Sequence, residues 1–313
     1  MTDDTRTDAL LYRWTDDAVA RPLQPALIGA RADVTAAARG LLAIPEAALA
    51  KPWAWIGGSE EEVRYGAYRA AESLELAEIE ARTVASSGDP GETIAARLVG
   101  PTTAARWDLH GLLIPLDDAL LDADPGGGEW SIRLTMGHII GGQRGYGWGG
   151  AWWLSQGYAA GDPAMPGGAP DDLWDGLPDE ATSEAAGSVT QLLDRLDEVT
   201  DLTVERLAGI SDEQAGFGAT WAGFRVTLAF RFGRWSSHIR EHAIQIEKTF
   251  AMLGHVPDER ARLARNLLAA YGRAESVVFA RTDVDAAVAR IVQGAAEAKA
   301  AVESASAAAG DAA

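Results

Sequence analysis

The chain has 313 residues, 47% of them hydrophobic and 23% charged, which excludes a disordered or fibrous protein and leaves room for two domains of ordinary size. A formal net charge of -19 surrounds the molecule with a field that repels phosphate backbones and anionic lipid surfaces, so neither nucleic acid nor membrane is expected as a partner. Cysteine is absent; disulfides, thiolate ligands and a cysteine nucleophile are excluded together, and any metal must rest on His, Asp or Glu.

No run of about 18 apolar residues occurs. The opening MTDDTRTDALLYRW is acidic where a signal peptide is basic and then apolar, so a cytoplasmic location is expected. Stretches dense in Ala, Leu, Arg and Glu alternate with Gly/Pro-rich breaks, and no alternating β-branched pattern bounded by turns stands out, which predicts an all-α fold.

In chain order, the pattern predicts a helix over 23–42 and another over 59–85, the second opened by a capping box of Ser59 and Glu62. After SSGDPGET come a helix over 102–122, the break DADPGGGEW and a helix opening at Ser131. The stretch 159–181, GDPAMPGGAPDDLWDGLPDE and its neighbours, holds too many Pro and Gly for regular structure and reads as a crossover between bundle halves. A helix over 182–208, the turn ISDEQAGFGATWAGF and a helix over 224–253 stopped by Gly254 follow. Helices over 258–280 and 283–305 precede a tail, ASAAAGDAA, that should fray. EEVRYGAYRAAE faintly echoes EWSIRLTMGHII, placing Tyr68 or Arg69 where His138 sits, so the terminal helices could form a degenerate second bundle without ligands.

The five histidines lie at 110, 138, 238, 242 and 255. His238 and His242 are one helical turn apart, so their imidazoles stand on one face and are able to converge on one ion; an exposed pair with no ligand has the same spacing. Arg231, Arg234, Glu241, Gln245 and Thr249 share that side, flanked by an apolar stripe of Leu228, Phe232, Ile239, Ile246 and Phe250. His138 lies in the other well-marked helix, beside Gly141, Gly142, Gly145 and Gly149. Each glycine costs a helix about 0.5–1 kcal/mol relative to alanine, so room on that face must matter. Either a neighbouring element approaches closely, or a cavity lies there, walled by Trp148, Trp152, Trp153 and Trp235. Glu241 and Arg234 are candidates for orienting ligands or moving a proton, set against a surface ion pair. His110 and His255 have no partner at ligand spacing, and the doublets Asp16–Asp17 and Asp171–Asp172 read as solvated turns.

One histidine in the second helix of a bundle, a crossover, and an H-x-x-x-H pair in the fourth helix resemble the DinB-like superfamily, which includes bacillithiol transferases and mycothiol-dependent maleylpyruvate isomerases. Trp130 and the phrase HIREHAIQIEKT look like that family too. The resemblance spans roughly residues 100–255. It implies an up-down-down-up four-helix bundle at 100–255, with 1–99 as an N-terminal helical extension and 256–313 as C-terminal helices packing on it. It further implies that His138, His238 and His242 hold a divalent metal, zinc first and nickel, manganese or iron as alternatives. Where the isomerase branch carries glutamate this chain has His238, which is closer to the DinB and thiol-transferase branch. The function implied is a metal-dependent enzyme of S-transferase or isomerase type that activates a low-molecular-weight thiol or water for a small-molecule substrate. A hydrolase and a non-catalytic metal-binding or stress-related protein are the alternatives. Family members dimerise through their bundles, and a homodimer is the partner implied here, although the extra helices compete for that surface.

Overall fold

The computed structural model describes residues 4–55, 58–85 and 92–310. Its helices assemble as two four-helix bundles that share a wall. The inner bundle is α4 (Ile94–Leu113), α5 (Ile132–Gln156), α6 (Val189–Leu207) and α8 (Leu228–Met252). Here α8 and α6 each pack against both α4 and α5, so α4 and α5 face each other across the diagonal. The outer bundle is α2 (Pro25–Ala43), α3 (Arg64–Ala85), α9 (Glu259–Glu275) and α10 (Asp285–Gly310). It is wired the same way, with α10 and α9 each packing on both α2 and α3. The second bundle that the sequence echo suggested is therefore present. Neither Tyr68, which is exposed, nor Arg69, which lies 3.8 Å from Glu72, belongs to a ligand cluster.

Several element ends differ from the sequence reading, each for a local reason. The segment ahead of α3 forms a hairpin in place of a capping box. β1 (Pro52–Ala54) pairs antiparallel with β2 (Glu60–Glu62), and the helix starts only at Arg64, whose guanidinium binds Glu62 and Glu259. α4 begins eight residues before 102 because Thr93 caps it by accepting from the amide of Ala96, and Pro101 lies inside the helix. Ser188 and Gln191 form a reciprocal capping box that starts α6 at Val189, while Glu180–Glu184 make a separate π turn. The N-terminal helix α1 (Asp4–Trp14) was not anticipated; it packs on α5 and buries Leu11 fully. The tail does not fray at 305, since α10 continues to Gly310 with Ala305 and Ala309 buried. A short helix α7 (Asp212–Ala215) leads into a second hairpin, β3 (Gly218–Trp221) and β4 (Phe224–Thr227), where a turn and the start of a helix were expected.

The shared wall is α4. It packs closely on α9, where a β-carbon on Gly111 would lie 2.6 Å from the Arg265 Cα and one on Gly272 would lie 2.7 Å from the Trp107 Cβ. Trp107 enters the outer core, while Leu109, Leu112 and Leu113 enter the inner one. Charged groups bind the same seam. Glu275 of α9, wholly buried, lies 2.6 Å from Arg31 of α2 and 3.1 Å from Arg106 of α4, and both arginines reach Asp201 of α6. Thr103 and Trp107 also donate to Glu275. Burial opposes its ionisation, but the two guanidiniums win and hold its carboxyl down to about 2.

Breaking a buried ion network by removing one member strands the others in a place of low polarity, which costs about 3–5 kcal/mol. Glu275→Gln is expected to lose that much in urea unfolding. Glu247→Gln, which removes an exposed partner of Arg265, should cost within about 1 kcal/mol. Equal losses in the two variants would show that the seam is held by packing alone.

Candidate metal centre

Two helix caps set the register of the site. Ser131 accepts from the Leu134 amide to open α5, and Thr227 accepts from the Phe230 amide to open α8. The two helices pack directly, and His138, His238 and His242 meet between them. One ligand atom from each imidazole lies within 4.8 Å of the others. The Nε2 atoms of His138 and His238 are 3.3 Å apart. Two nitrogens sharing a tetrahedral cation at bonds of about 2.0–2.1 Å would sit about 3.3 Å apart as well.

The outward-facing nitrogens are held by partners. His138 Nδ1 lies 2.7 Å from the Glu180 carboxylate and His242 Nδ1 lies 2.7 Å from the Gln245 side-chain oxygen. Each acceptor keeps the proton on Nδ1 and leaves Nε2 with its lone pair directed inward. His238 has no such acceptor, and its Nδ1 is buried without a partner. Burial, then the neighbouring imidazoles of His242 and His138, push His238 down to about 3, and burial lowers His242 too. Both rings are neutral at physiological pH, the form that binds metal.

The glycines of α5 explain how the three rings meet. A β-carbon at 142 would lie 2.5 Å from the His238 Cε1, and one at 141 would lie 2.5 Å from the Glu180 Cγ. At 137 it would strike the Glu180 carbonyl, and at 149 it would sit 2.6 Å from the Arg231 guanidinium. Close approach and cavity are therefore the same feature, because the glycines admit the crossover and α8 and leave a space of about 910 Å³ between them.

Its walls differ from the expected ones. Trp148 and Trp235 are fully buried in the core and Trp152 packs edge-on against Trp153, so none of the three lines the cavity, although Trp153 does. Large aromatics on α5 and α8 turn inward to fill the bundle, and the cavity takes its rings from Trp174 on the crossover, Trp221 on the β3–β4 hairpin and Tyr146 on α5. The hairpin turns through Ala222 and Gly223, both at positive φ, the pattern of a tight type I′ turn. This holds the Trp221 ring 5.1 Å from Tyr146, itself 5.1 Å from the His238 ring. Burial pushes Tyr146 up to about 12.

The two residues expected to assist chemistry are committed to each other. Arg234 grips Glu241 through two hydrogen bonds of 2.8 and 2.7 Å, with Glu241 half exposed, and its guanidinium lies 5.4 Å from the centre of the Trp221 ring. Glu180 is the residue the sequence did not single out. It sits at the end of a crossover rich in acids, and nothing in the sequence distinguishes it from Asp171, Asp172, Asp175 or Asp179. Three anchors fix it: Arg144 bonds Glu184 at 2.6 Å, and Arg195 and Arg133 bind the carbonyls around Ala185 and Ala186. His110 is tied to Asp197 at 3.0 Å and His255 packs on Phe250 at 4.9 Å, both away from the site.

Residues 102–246, which contain all three histidines, match the family model described as the DinB superfamily. The inner bundle is DinB-like. No curated protein and no solved structure matches the chain. The DinB-like match starts within α4 and ends within α8, so it takes in the four inner helices and the hairpin but none of the outer bundle. Among the described residues, no other group of three or more His, Asp or Glu side chains is placed to hold a metal ion, and no helix is long and apolar enough to cross a membrane.

Gly142→Ala is expected to displace the His238 ring and weaken Zn²⁺ affinity at least ten-fold in a chelator competition while the far-ultraviolet dichroism is unchanged. Unaltered affinity would mean that the close approach is not what seats the ring. In metal-free protein, a His238 held near 3 against 6.5 in the unfolded chain makes unfolding take up protons between those values, so stability falls as pH drops from about 6.5. The urea midpoint should be lower at pH 5 than at pH 7, and His238→Gln should flatten that slope. Glu275 and Asp197, both held near 2, add their losses only at lower pH.

Proposed function

We propose that the cavity is an active site in which His138, His238 and His242 hold a divalent cation, zinc first, that activates a low-molecular-weight thiol or water toward a small-molecule substrate, as in an S-transferase or isomerase. The observation that carries this reading is the 3.3 Å approach of two imidazole nitrogens, with the outer nitrogens of His138 and His242 held by Glu180 and Gln245. The donor set fits such an ion: all three ligands are imidazoles with one nitrogen each in mutual reach, and burial keeps His238 and His242 neutral. A cation bound by three neutral imidazoles keeps its full charge and supplies Lewis acidity, which lowers the pKa of a water or thiol presented to it.

The chain's own groups do the rest. Glu180 fixes the tautomer of His138 and stabilises positive charge developing on that ring. Tyr146 stays a neutral phenol and has a proton to donate beside His238. Trp174 and Trp221 give the cavity aromatic walls against which an apolar part of a substrate can pack. Since the chain contains no cysteine, a thiol reacting here comes from outside; a water nucleophile uses the same residues and makes the protein a hydrolase.

Tag-free protein is expected to retain or take up about one Zn²⁺, Ni²⁺, Mn²⁺ or Fe²⁺ per chain, and His238→Ala to abolish this. Glu180→Gln should weaken metal affinity about 10- to 100-fold. The loaded protein should then accelerate conjugation of monochlorobimane to one member of a panel of low-molecular-weight thiols. Absence of metal uptake would remove the site altogether. Stoichiometric metal with no rate on thiol conjugation or ester hydrolysis would establish a non-catalytic metal-binding protein instead.

A further inference from the structure

Buried arginines in this protein have carboxylate partners. Arg106 has Asp201 and Glu275, Arg144 has Glu184, and Arg206 has Asp17. Arg231 is the exception among the described residues. Its side chain is only 7% exposed, its NH1 donates to the Thr220 carbonyl at 2.7 Å, its Nε has no partner, and no acidic group pairs with it. Burial alone drags its pKa down to about 10, with no carboxylate to oppose the effect. The chain has 46 acidic residues against 27 lysines and arginines, so leaving this one cation unneutralised is a departure from the pattern elsewhere. An uncompensated buried charge is costly to a fold. It persists where something outside the chain completes it.

The geometry says where that anion sits. Arg231 and the histidine trio line the same cavity. Arg231 precedes His238 by seven residues on α8, two turns and about 10 Å along the axis, so both project to the same side. The guanidinium lies 5.4 Å from the centre of the Trp221 ring, and its NH2 occupies the space that a β-carbon at Gly149 would fill, with Trp174 closing the other side. The other arginine lining the cavity, Arg144, is committed to Glu184, and Arg234, which also approaches the Trp221 ring, is paired with Glu241. Asp179 and Glu180 also line the space. A dianionic phosphate facing a single free guanidinium and two acids would be left underneutralised, whereas a monoanion matches it charge for charge.

We propose that Arg231 is the recognition site for a carboxylate of the substrate, so that the cavity takes a small carboxylic acid whose reacting end lies at the histidines and whose acid group lies about two helical turns away, between Trp221 and Trp174. The placement of the reacting end rests on the function proposed above; the carboxylate subsite itself does not need the metal.

Titration calorimetry of the full chain with hexanoate and with hexanol tests the subsite, in both metal-free and Zn²⁺-loaded protein. Hexanoate should bind at least ten-fold more tightly than hexanol in both forms, Arg231→Met should abolish the preference, and Arg231→Lys should restore part of it. Removing an unpaired buried charge is not expected to harm folding, and the wild-type comparison stands even if a variant fails to fold. Equal or absent binding of the two probes by the wild type, a preference that survives in Arg231→Met, or tighter binding of inorganic phosphate than of hexanoate would each overturn the assignment. A preference present without metal and unaffected by it, in a protein that shows no turnover, would leave the subsite standing and the enzymatic reading fallen.

Discussion

Everything at the centre of this molecule depends on α5 presenting bare backbone to its neighbours. Where α5 faces the crossover and α8, positions 137, 141, 142 and 149 lack a β-carbon, and into those places come the Glu180 carbonyl and side chain, the His238 ring and the Arg231 guanidinium. Glycine inside a helix gives up about 0.5–1 kcal/mol relative to alanine, so the face sacrifices a few kcal/mol of helix propensity for proximity. That proximity brings the Nε2 of His138 within 3.3 Å of its counterpart on His238. It also desolvates the rings, which keeps His238 and His242 neutral. Geometry and protonation state thus have one origin.

The sequence displayed the parts of this site that are periodic. An i, i+4 histidine pair and a glycine-lined face carrying His138 are visible because helical repeat places them on one side. The aromatic walls were not legible for the opposite reason. Trp148 and Trp235 lie on the same two helices, yet they face inward, and which side of a helix rich in Gly and Trp turns toward the cavity is decided by packing that no short window contains. Trp221 was hidden by its hairpin: Ala222–Gly223 is not the Asn-Gly or Asp-Gly pair that usually announces a type I′ turn, and four-residue strands carry little periodic signal. Glu180 was one acid among several in an irregular crossover. Element starts went astray where a cap lay outside the expected span, as Thr93 does ahead of 102.

The cavity has two chemically distinct ends. At one, three imidazoles face each other with their outer nitrogens mostly engaged, an arrangement suited to a cation. At the other, a guanidinium stands between two tryptophans without a counter-charge. Both lie in a protein with a formal net charge of -19, so an unneutralised guanidinium in the cavity departs from the charge balance of the chain as a whole. The family match covers the inner bundle and stops short of α9; nothing in the shared pattern accounts for the outer helices, whose contact with the inner bundle is made chiefly through α4.

The shared wall bears on how the chain reaches this state. α2 and α3 precede the inner bundle in sequence and α9 and α10 follow it, yet α3 packs most extensively on α10 and α2 on α10 and α9. Contacts between such distant segments form slowly because a long loop must close first. Since the chain is made from its N-terminus, α2 and α3 emerge before α9 and α10, the helices that cover their apolar faces, so those faces wait uncovered for the last part of the chain to pack on them beside the inner bundle.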